Sequence, residues 1–431
     1  MALAALAAVA LAVSLVVLLR DSPPPAVSST VIGGVAGLAV LALALARYEA
    51  AAAFGFLLFG VVFVEPSPPD AVLVLVMAVA LVTGRFTLRS VPLPMLALVV
   101  VFLVLNLISA MFAAFPGRAV FYFSITAYLC FFALWLTGYV SSERRAASLV
   151  RPLVAGAVAS AAVGVAVLFL SFPGKSLVDF SDGQRARGFF KDPNVFGPFL
   201  VVVALIVLSE ILEPRLLRSR TVTKLALLLV LSLGILFAFS RAAWLNAVLG
   251  VATMLLVYSL RRGGSRNVTK IMTALAVALA VGSVVLAATG SSSFLEQRAH
   301  RQSYDAQRFA GQERGFELAQ HHPLGIGPGQ FERTVGIASH STYVRALAEQ
   351  GILGLVTVLG LLLGTLALAT TNAVRGRDTY GIGSAPLLGA WVGLIANSAF
   401  VDTLHWRQLW LVAALIWVGA MRRTRSSTPA Y

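Results

Sequence analysis

About fourteen apolar runs, most of them close to the length of a bilayer-crossing helix, follow one another along this chain and leave it few folds to choose from. They fall at 2–19, 28–46, 50–64, 71–84, 91–112, 119–140, 150–172, 195–212, 222–239, 242–260, 270–289, 343–371, 383–401 and 407–421. Backbone groups in lipid must be bonded within the protein, so the choice is between helices and a closed barrel. The runs are continuous rather than alternating, which selects helices. Composition agrees: 59% of residues are hydrophobic, 12% are charged and the mean hydropathy is +0.89, well outside soluble usage. The expected fold is an all-α polytopic membrane protein. The runs at 50–64 and 71–84 are short, so 12–14 transmembrane helices are expected. Residues 2–19 lack the basic start of a cleaved signal peptide and read as a first membrane helix.

A net charge of +15 in a soluble chain would point to nucleic acid. Here the cations lie mostly in short loops, where they set orientation, and no nucleic-acid partner is expected. Arg85 and Arg89 share one loop; Arg144, Arg145 and Arg151 follow. Then come Arg215, Arg218, Arg220 and Lys224, and after them Arg261, Arg262, Arg266 and Lys270. Arg375 and Arg377 follow, and Arg422, Arg423 and Arg425 close the set. Every second loop is basic, and the positive-inside rule assigns those loops to the cytoplasm. The loops at 65–70, 113–118, 173–194, 290–342 and 402–406 are then extracytoplasmic. The organisation that follows is N-terminal membrane helices over 1–172, an outer loop over 173–194 and membrane helices over 195–289. A large outer loop over 290–342 and C-terminal membrane helices over 343–431 complete it. Cys130 is the single cysteine and sits in an apolar run, so no disulfide forms within the chain.

The chemistry gathers in the outer loops, above all around the stretch from Arg308 to Gly354. An ordered polar loop of this length, in so apolar a chain, is expected to be functional. An amphipathic helix is expected at about 294–320, with Arg298, Arg301, Asp305, Arg308 and Gln312 along one stripe. Pro323, Gly325, Gly327, Pro328 and Gly329 then end it. GIGPGQF lacks the Lys-Ser/Thr ending of a phosphate loop and follows no strand, so it reads as a turn that shapes the loop.

Arginines recur on the same side: Arg185 and Arg187, Arg241 in FSRAAW, Arg298, Arg301, Arg308, Arg314, Arg345 and Arg407. A guanidinium offers a planar donor fork suited to phosphate. The competing reading for Arg241 is an anchor between two helix ends; for Arg298 and Arg301 it is a solvated helix face. His340 precedes an apolar helix that Ser339 or Ser341 is placed to cap, and an imidazole there can take a proton from a hydroxyl near neutral pH. A packed interfacial histidine is the alternative. His321 and His322 lack a nearby cysteine and carboxylates at ligand spacing, so no metal site is expected.

Four stretches together resemble the O-antigen ligase and O-antigen polymerase superfamily. They are RGFFKDPNVFG (187–197), FSRAAW (239–244), the Arg308-led segment ending HHPLGIGPGQF (308–331), and HSTYVRALAEQGILG (340–354). The N-terminal half is similar only as membrane helices. The resemblance implies a membrane-embedded glycosyltransferase, GT-C-like, with no metal and no cofactor. The donor would be a glycan on a polyprenyl pyrophosphate of the undecaprenyl type, taken from the bilayer at the outer face of the cytoplasmic membrane. The acceptor would be a lipid or another glycan. His340 aligns with the histidine that activates the acceptor hydroxyl. Arg187, Arg241 and Arg308 are the expected pyrophosphate-binding residues, and Arg185, Lys191, Arg301, Arg345 and Arg407 are further substrate-binding candidates. Ser341 stands where the family often has Asn, and Gln312-Glu313 where it often has Trp, which leaves the acceptor open. A repeat-unit polymerase of the same superfamily fits equally. A membrane transporter is the alternative of another class; it would place charges and broken helices near the bilayer midplane, whereas here the charge gathers at one face.

Overall fold

The computed structural model describes residues 26–179, 183–261, 264–300 and 303–422. The expected first helix at 2–19 lies outside these, as do Arg262, Arg301, Arg423 and Arg425. The described chain is built from helices: α1 (Ala26–Ala46), α2 (Tyr48–Leu57), α3 (Pro68–Val82), α4 (Leu93–Ala110), α5 (Pro116–Tyr139), α6 (Glu143–Phe169), α7 (Pro193–Leu212) and α8 (Thr221–Phe237). Then come α9 (Arg241–Leu260), α10 (Ser265–Ala288), α11 (Ser292–Ala299), α12 (Ser303–His321), α13 (Phe331–Val335), α14 (Thr342–Val374), α15 (Ser384–Ser398) and α16 (Arg407–Met421). Seven of them (α4, α5, α6, α7, α9, α10 and α14) are long and apolar enough to cross a membrane. Five shorter apolar stretches accompany them: Ala36–Ala46, Tyr48–Gly60, Pro68–Val82, Thr221–Phe237 and Arg407–Met421. The protein is an all-α, multi-pass membrane protein.

Polar residues at the joints start the helices where the sequence turns apolar. Ser67-Pro68-Pro69-Asp70 opens α3 with a capping box: the Asp70 carboxylate accepts from the Ser67 amide at 2.8 Å and the Ser67 hydroxyl at 2.9 Å. Ser142 caps α6 and Asp192 caps α7, the latter accepting the Asn194 amide at 2.8 Å.

The chain forms two compact units. The first takes the chain up to Phe86, Ser142–Trp244 and Arg266–Glu296. Within it α7 packs on α8, α2 on α6 and α6 on α8. The α2–α6 contact brings backbones together, because a Cβ on Gly156 would stand 2.0 Å from the Leu57 carbonyl oxygen. Buried residues run around nearly the whole of α7, which explains a sequence apolar on every side. Its end is fixed by an internal ion pair. The Glu210 carboxylate accepts the Arg215, Leu216 and Leu217 amides at 2.9–3.1 Å, and Lys224 Nζ lies 3.6 Å from it. Lys224 is thus a buried partner rather than a free loop cation.

The second unit takes Thr87–Ser141, Leu245–Ser265 and Gln297–Tyr431. Here α14 packs on α4, α12, α15 and α16, and α16 packs on α5. Tryptophans pin this core through their ring N–H groups: Trp391 to the Leu362 carbonyl at 3.1 Å, Trp410 to the Leu404 carbonyl at 2.8 Å, and Trp417 to the Thr365 hydroxyl at 2.9 Å. Two features differ from the sequence expectation. Within the expected amphipathic helix over 294–320, α11 ends at Ala299 with a bend at His300, and α12 is described from Ser303. The helix after His340 is broken at Gly351, whose φ of 71° and ψ of −172° are not helical. A Cβ there would stand 2.1 Å from the Pro323 carbonyl oxygen, so the loop presses on the helix where it breaks.

Candidate functional site

Each unit holds part of the expected set. In the first, the segment around Arg185–Lys191 is laced to its neighbours. Two residues of β1 (Val61–Val62) pair in parallel with β2 (Phe189–Phe190), and the Lys191 amide adds a bond to the Val62 carbonyl at 3.1 Å. Lys191 Nζ lies 2.6 Å from Glu65, an exposed pair of little energetic weight. Arg187 donates to the Lys191 carbonyl at 3.1 Å. Arg185 reaches the turn between α8 and α9: its Nε donates to the Ala238 carbonyl at 3.0 Å and its Nη2 to Asn194 Oδ1 at 3.1 Å. The Ser240 hydroxyl donates to the same Asn194 oxygen at 3.0 Å.

Arg185 therefore fastens the loop before α7 to the turn that carries Arg241, the first residue of α9. That turn is held in an uncommon backbone state. Phe239 has φ of 44°, and its buried ring meets those of Phe237, Trp244 and Phe294 at centroid distances of 5.8, 6.4 and 4.8 Å. Such a conformation costs on the order of 1–3 kcal/mol and persists only where the surroundings fix it. Asn194 and Ser240, not singled out in the sequence, are the residues that join the two segments.

In the second unit the glycine run and the helix after His340 explain one another. Gly325, Gly327 and Gly329 all have positive φ, at 82°, 98° and 71°. The backbone N–H groups they turn inward are occupied by the start of α14. Ile326 and Gly327 donate to the Ala348 and Glu349 carbonyls at 3.0 Å each. The buried Glu349 carboxylate takes the Gly329 amide at 2.9 Å and the Phe331 amide at 3.1 Å. This is an anion-holding concavity filled by the chain's own carboxylate, so the run shapes the loop. Gln330 closes the other side through a reciprocal pair with the Phe115 backbone, at 2.9 and 3.2 Å.

Arg345, a candidate for substrate, is buried among three carboxylates. It bonds Glu332, lies 3.8 Å from Glu349 one turn along, and lies 3.1 Å from Asp402. Arg118 joins from α5, bonding the Gly329 carbonyl, lying 3.4 Å from Glu332 and resting over the Tyr122 ring at 4.8 Å. Asp402, in the loop before α16, also accepts the Leu404 amide at 3.2 Å and lies 3.4 Å from His405 Nδ1. Burial opposes its charge, but Arg345 and His405 more than offset this, and the carboxyl is held well below the usual carboxylate range. Glu349, Asp402 and His405 were not singled out in the sequence. The signal was there for the first two, as carboxylates beside or inside apolar helices.

His340 stands immediately before α14, partly exposed, with φ of 47°. Ser341 is the cap, its hydroxyl accepting the Val344 amide at 3.4 Å. Arg308 lies partly buried on α12 and Arg407 opens α16. His321 ends α12 and His322 follows it, both exposed.

Fold and loops together define a multi-pass, all-α membrane protein with folded polar loops at its helix starts. Residues 225–359 match the family model described as O-antigen ligase, so over that stretch the chain is similar to the O-antigen ligase family. The match takes in Arg241, Arg308, the glycine run and His340. No curated protein matches the chain. That family match supports glycosyl transfer in polysaccharide biosynthesis, and the matched family implies lipid-linked glycans as the kind of substrate.

Proposed function

We propose that the protein transfers a glycan from a polyprenyl pyrophosphate carrier to an acceptor hydroxyl at the outer face of the cytoplasmic membrane. His340 is the general base. Its imidazole takes the proton of the acceptor hydroxyl as that oxygen bonds to the anomeric carbon. The bond from that carbon to the pyrophosphate oxygen breaks, and polyprenyl pyrophosphate leaves. The leaving group gathers negative charge, which Arg187, Arg241 and Arg308 offset without a metal or nucleotide. Arg241 is well suited to this, since it starts a helix and adds a planar donor fork to the positive end of the helix dipole. The hydrocarbon tail stays in lipid while the head group meets the loop.

The observation that carries the reading is His340 itself: a partly exposed imidazole held in a left-handed turn at a capped helix start, inside the matched stretch. The deciding experiment reconstitutes purified protein in liposomes with a polyprenyl-pyrophosphate glycan and candidate acceptors, without added metal or nucleotide. Release of polyprenyl pyrophosphate with the glycan on a new acceptor is expected, and the acceptor separates ligase from repeat-unit polymerase. His340→Ala should abolish transfer while leaving the unfolding temperature within a degree or two. An active His340→Ala removes the base assignment, and solute flux without transfer replaces the enzyme with a transporter.

A further inference from the structure

The left-handed backbone at His340 is not supported by glycine, so something else must hold it. For an L-residue this conformation costs about 1–2 kcal/mol and relaxes unless the neighbours forbid it. His340 is flanked by buried hydroxyls: Ser339 before it, Ser341 and Thr342 after it. The Ser339 hydroxyl donates to the Ser341 carbonyl at 3.3 Å, bridging over His340. Ser341 caps α14 and also donates to the Ser398 carbonyl, at 3.5 Å, at the end of α15.

Thr342 leads into a chain whose direction follows from donor counting. Each hydroxyl has one proton to give. The Ser398 hydroxyl gives its proton to the Leu394 carbonyl at 2.9 Å. At 2.6 Å from Thr403 Oγ1 it must therefore accept from Thr403. Thr403 Oγ1, its own proton committed, accepts from Thr342 Oγ1 at 3.1 Å, the shortest of the three contacts open to that proton, ahead of the Val401 carbonyl at 3.3 Å and Asp402 Oδ1 at 3.5 Å. The Thr403 amide in turn donates to Thr342 Oγ1 at 2.8 Å. Thr403 is completely buried and holds the second residue after His340 by two bonds, one from its backbone and one from its side chain.

We infer that Thr403 is a positioning residue for His340: its hydroxyl, linking Thr342 to Ser398, locks the left-handed turn and so aims the imidazole. This rests on the reading of His340 as the base. Thr403 touches no reacting atom; it acts through the backbone of residues 340–342. A base displaced by about 1 Å can lose on the order of a hundredfold in rate, so the hydroxyl is worth a measurable part of kcat.

The test is Thr403→Val, which keeps the branched shape and deletes the hydroxyl, with Thr403→Ser as the conservative rescue. In the reconstituted assay, Thr403→Val should lower kcat about tenfold or more while KM for the lipid-linked donor stays within about twofold, and Thr403→Ser should restore most of kcat. A readout independent of turnover is the rate at which diethyl pyrocarbonate modifies His340, followed by mass spectrometry of the His340 peptide. It should change in the valine variant and return in the serine variant. Should Thr403→Val fail to fold, Ser398→Ala cuts the same chain with a smaller change and must show the same pair of effects. An unchanged kcat and unchanged His340 reactivity, or a loss confined to KM, overturns the inference. The His340→Ala variant separates the two readings. If it is inactive while Thr403→Val is wild type, only the positioning role fails; if it is active, the base assignment fails. In the double variant Thr403→Val must add nothing to whatever His340→Ala has removed.

Discussion

Glu349→Gln tests whether a buried carboxylate holds the loop over 322–336 against the membrane helix α14. The substitution keeps size and one acceptor oxygen but turns the other into an N–H donor. In the native protein Oε2 takes the Gly329 amide at 2.9 Å and Oε1 the Phe331 amide at 3.1 Å. One of those amides must then face a donor. A hydrogen bond to a charged group contributes about 1.5–3 kcal/mol, and an orphaned buried N–H costs about 1–3 kcal/mol. Arg345 also loses a counter-charge at 3.8 Å, but it retains Glu332 and Asp402, so the full penalty of an unpaired buried charge is not incurred. The expected destabilisation is about 3 kcal/mol, a large share of the stability of an ordinary domain. Thermal unfolding in detergent should show a clear fall in midpoint. Limited proteolysis should cut the stretch 322–336 sooner than in the native protein, because the loop has lost its tie to α14. A Gln variant with native midpoint and native protease resistance refutes the argument that the glycine run is held by this carboxylate.

Three further outcomes are expected. Gly351→Ala forces a Cβ against the Pro323 carbonyl in a backbone state alanine resists, and should cost about 2 kcal/mol or more; a native unfolding midpoint would show that the contact yields. Arg241→Lys, tested in the reconstituted assay, should lower transfer at least tenfold with the fold intact, because an ammonium cannot reproduce the planar fork; full activity in the lysine variant removes that argument. The folded-state pKa of Asp402 is depressed, so its contribution to stability is full above the ordinary carboxylate pKa of about 4 and drains away as pH falls below it. The gap in unfolding midpoint between native protein and Asp402→Asn should therefore narrow between pH 5 and pH 3, and a gap unchanged across that range would mean the ionised form is not the stabilising one.

The helices were legible because unbroken apolar runs carry their own signal, and most bounds in the structure fall within a few residues of those runs. What local pattern does not carry is a partner far away in the chain. The break at Gly351 comes from the Pro323 carbonyl pressing on it, and nothing around Gly351 announces that contact. Arg345 showed as a charge near the start of an apolar helix and was a candidate for substrate; its carboxylate partners lie on other segments, Glu332 on α13 and Asp402 in the loop before α16. The glycine run was legible as a turn rather than a phosphate cradle, though not as one filled by Glu349. The cap of the helix after His340 was legible as one of two serines; the hydroxyl chain through Thr403 was not, since no spacing rule joins residues 342, 398 and 403. Arg185 similarly reads as one more outer arginine until Asn194 and Ala238 appear as its acceptors.

The carboxylate seated among the amides of the glycine run also bears on how such a loop can be transplanted. Residues 325–331 provide the socket and residues 345–351 the plug, on two segments separated by the His340 turn. A chimera that imports the glycine run alone, or the helix start alone, would leave a socket empty or a carboxylate buried without donors. Exchange between relatives should succeed only when both segments travel together, with Gln330 and the Phe115 backbone that clasps it kept as the seam.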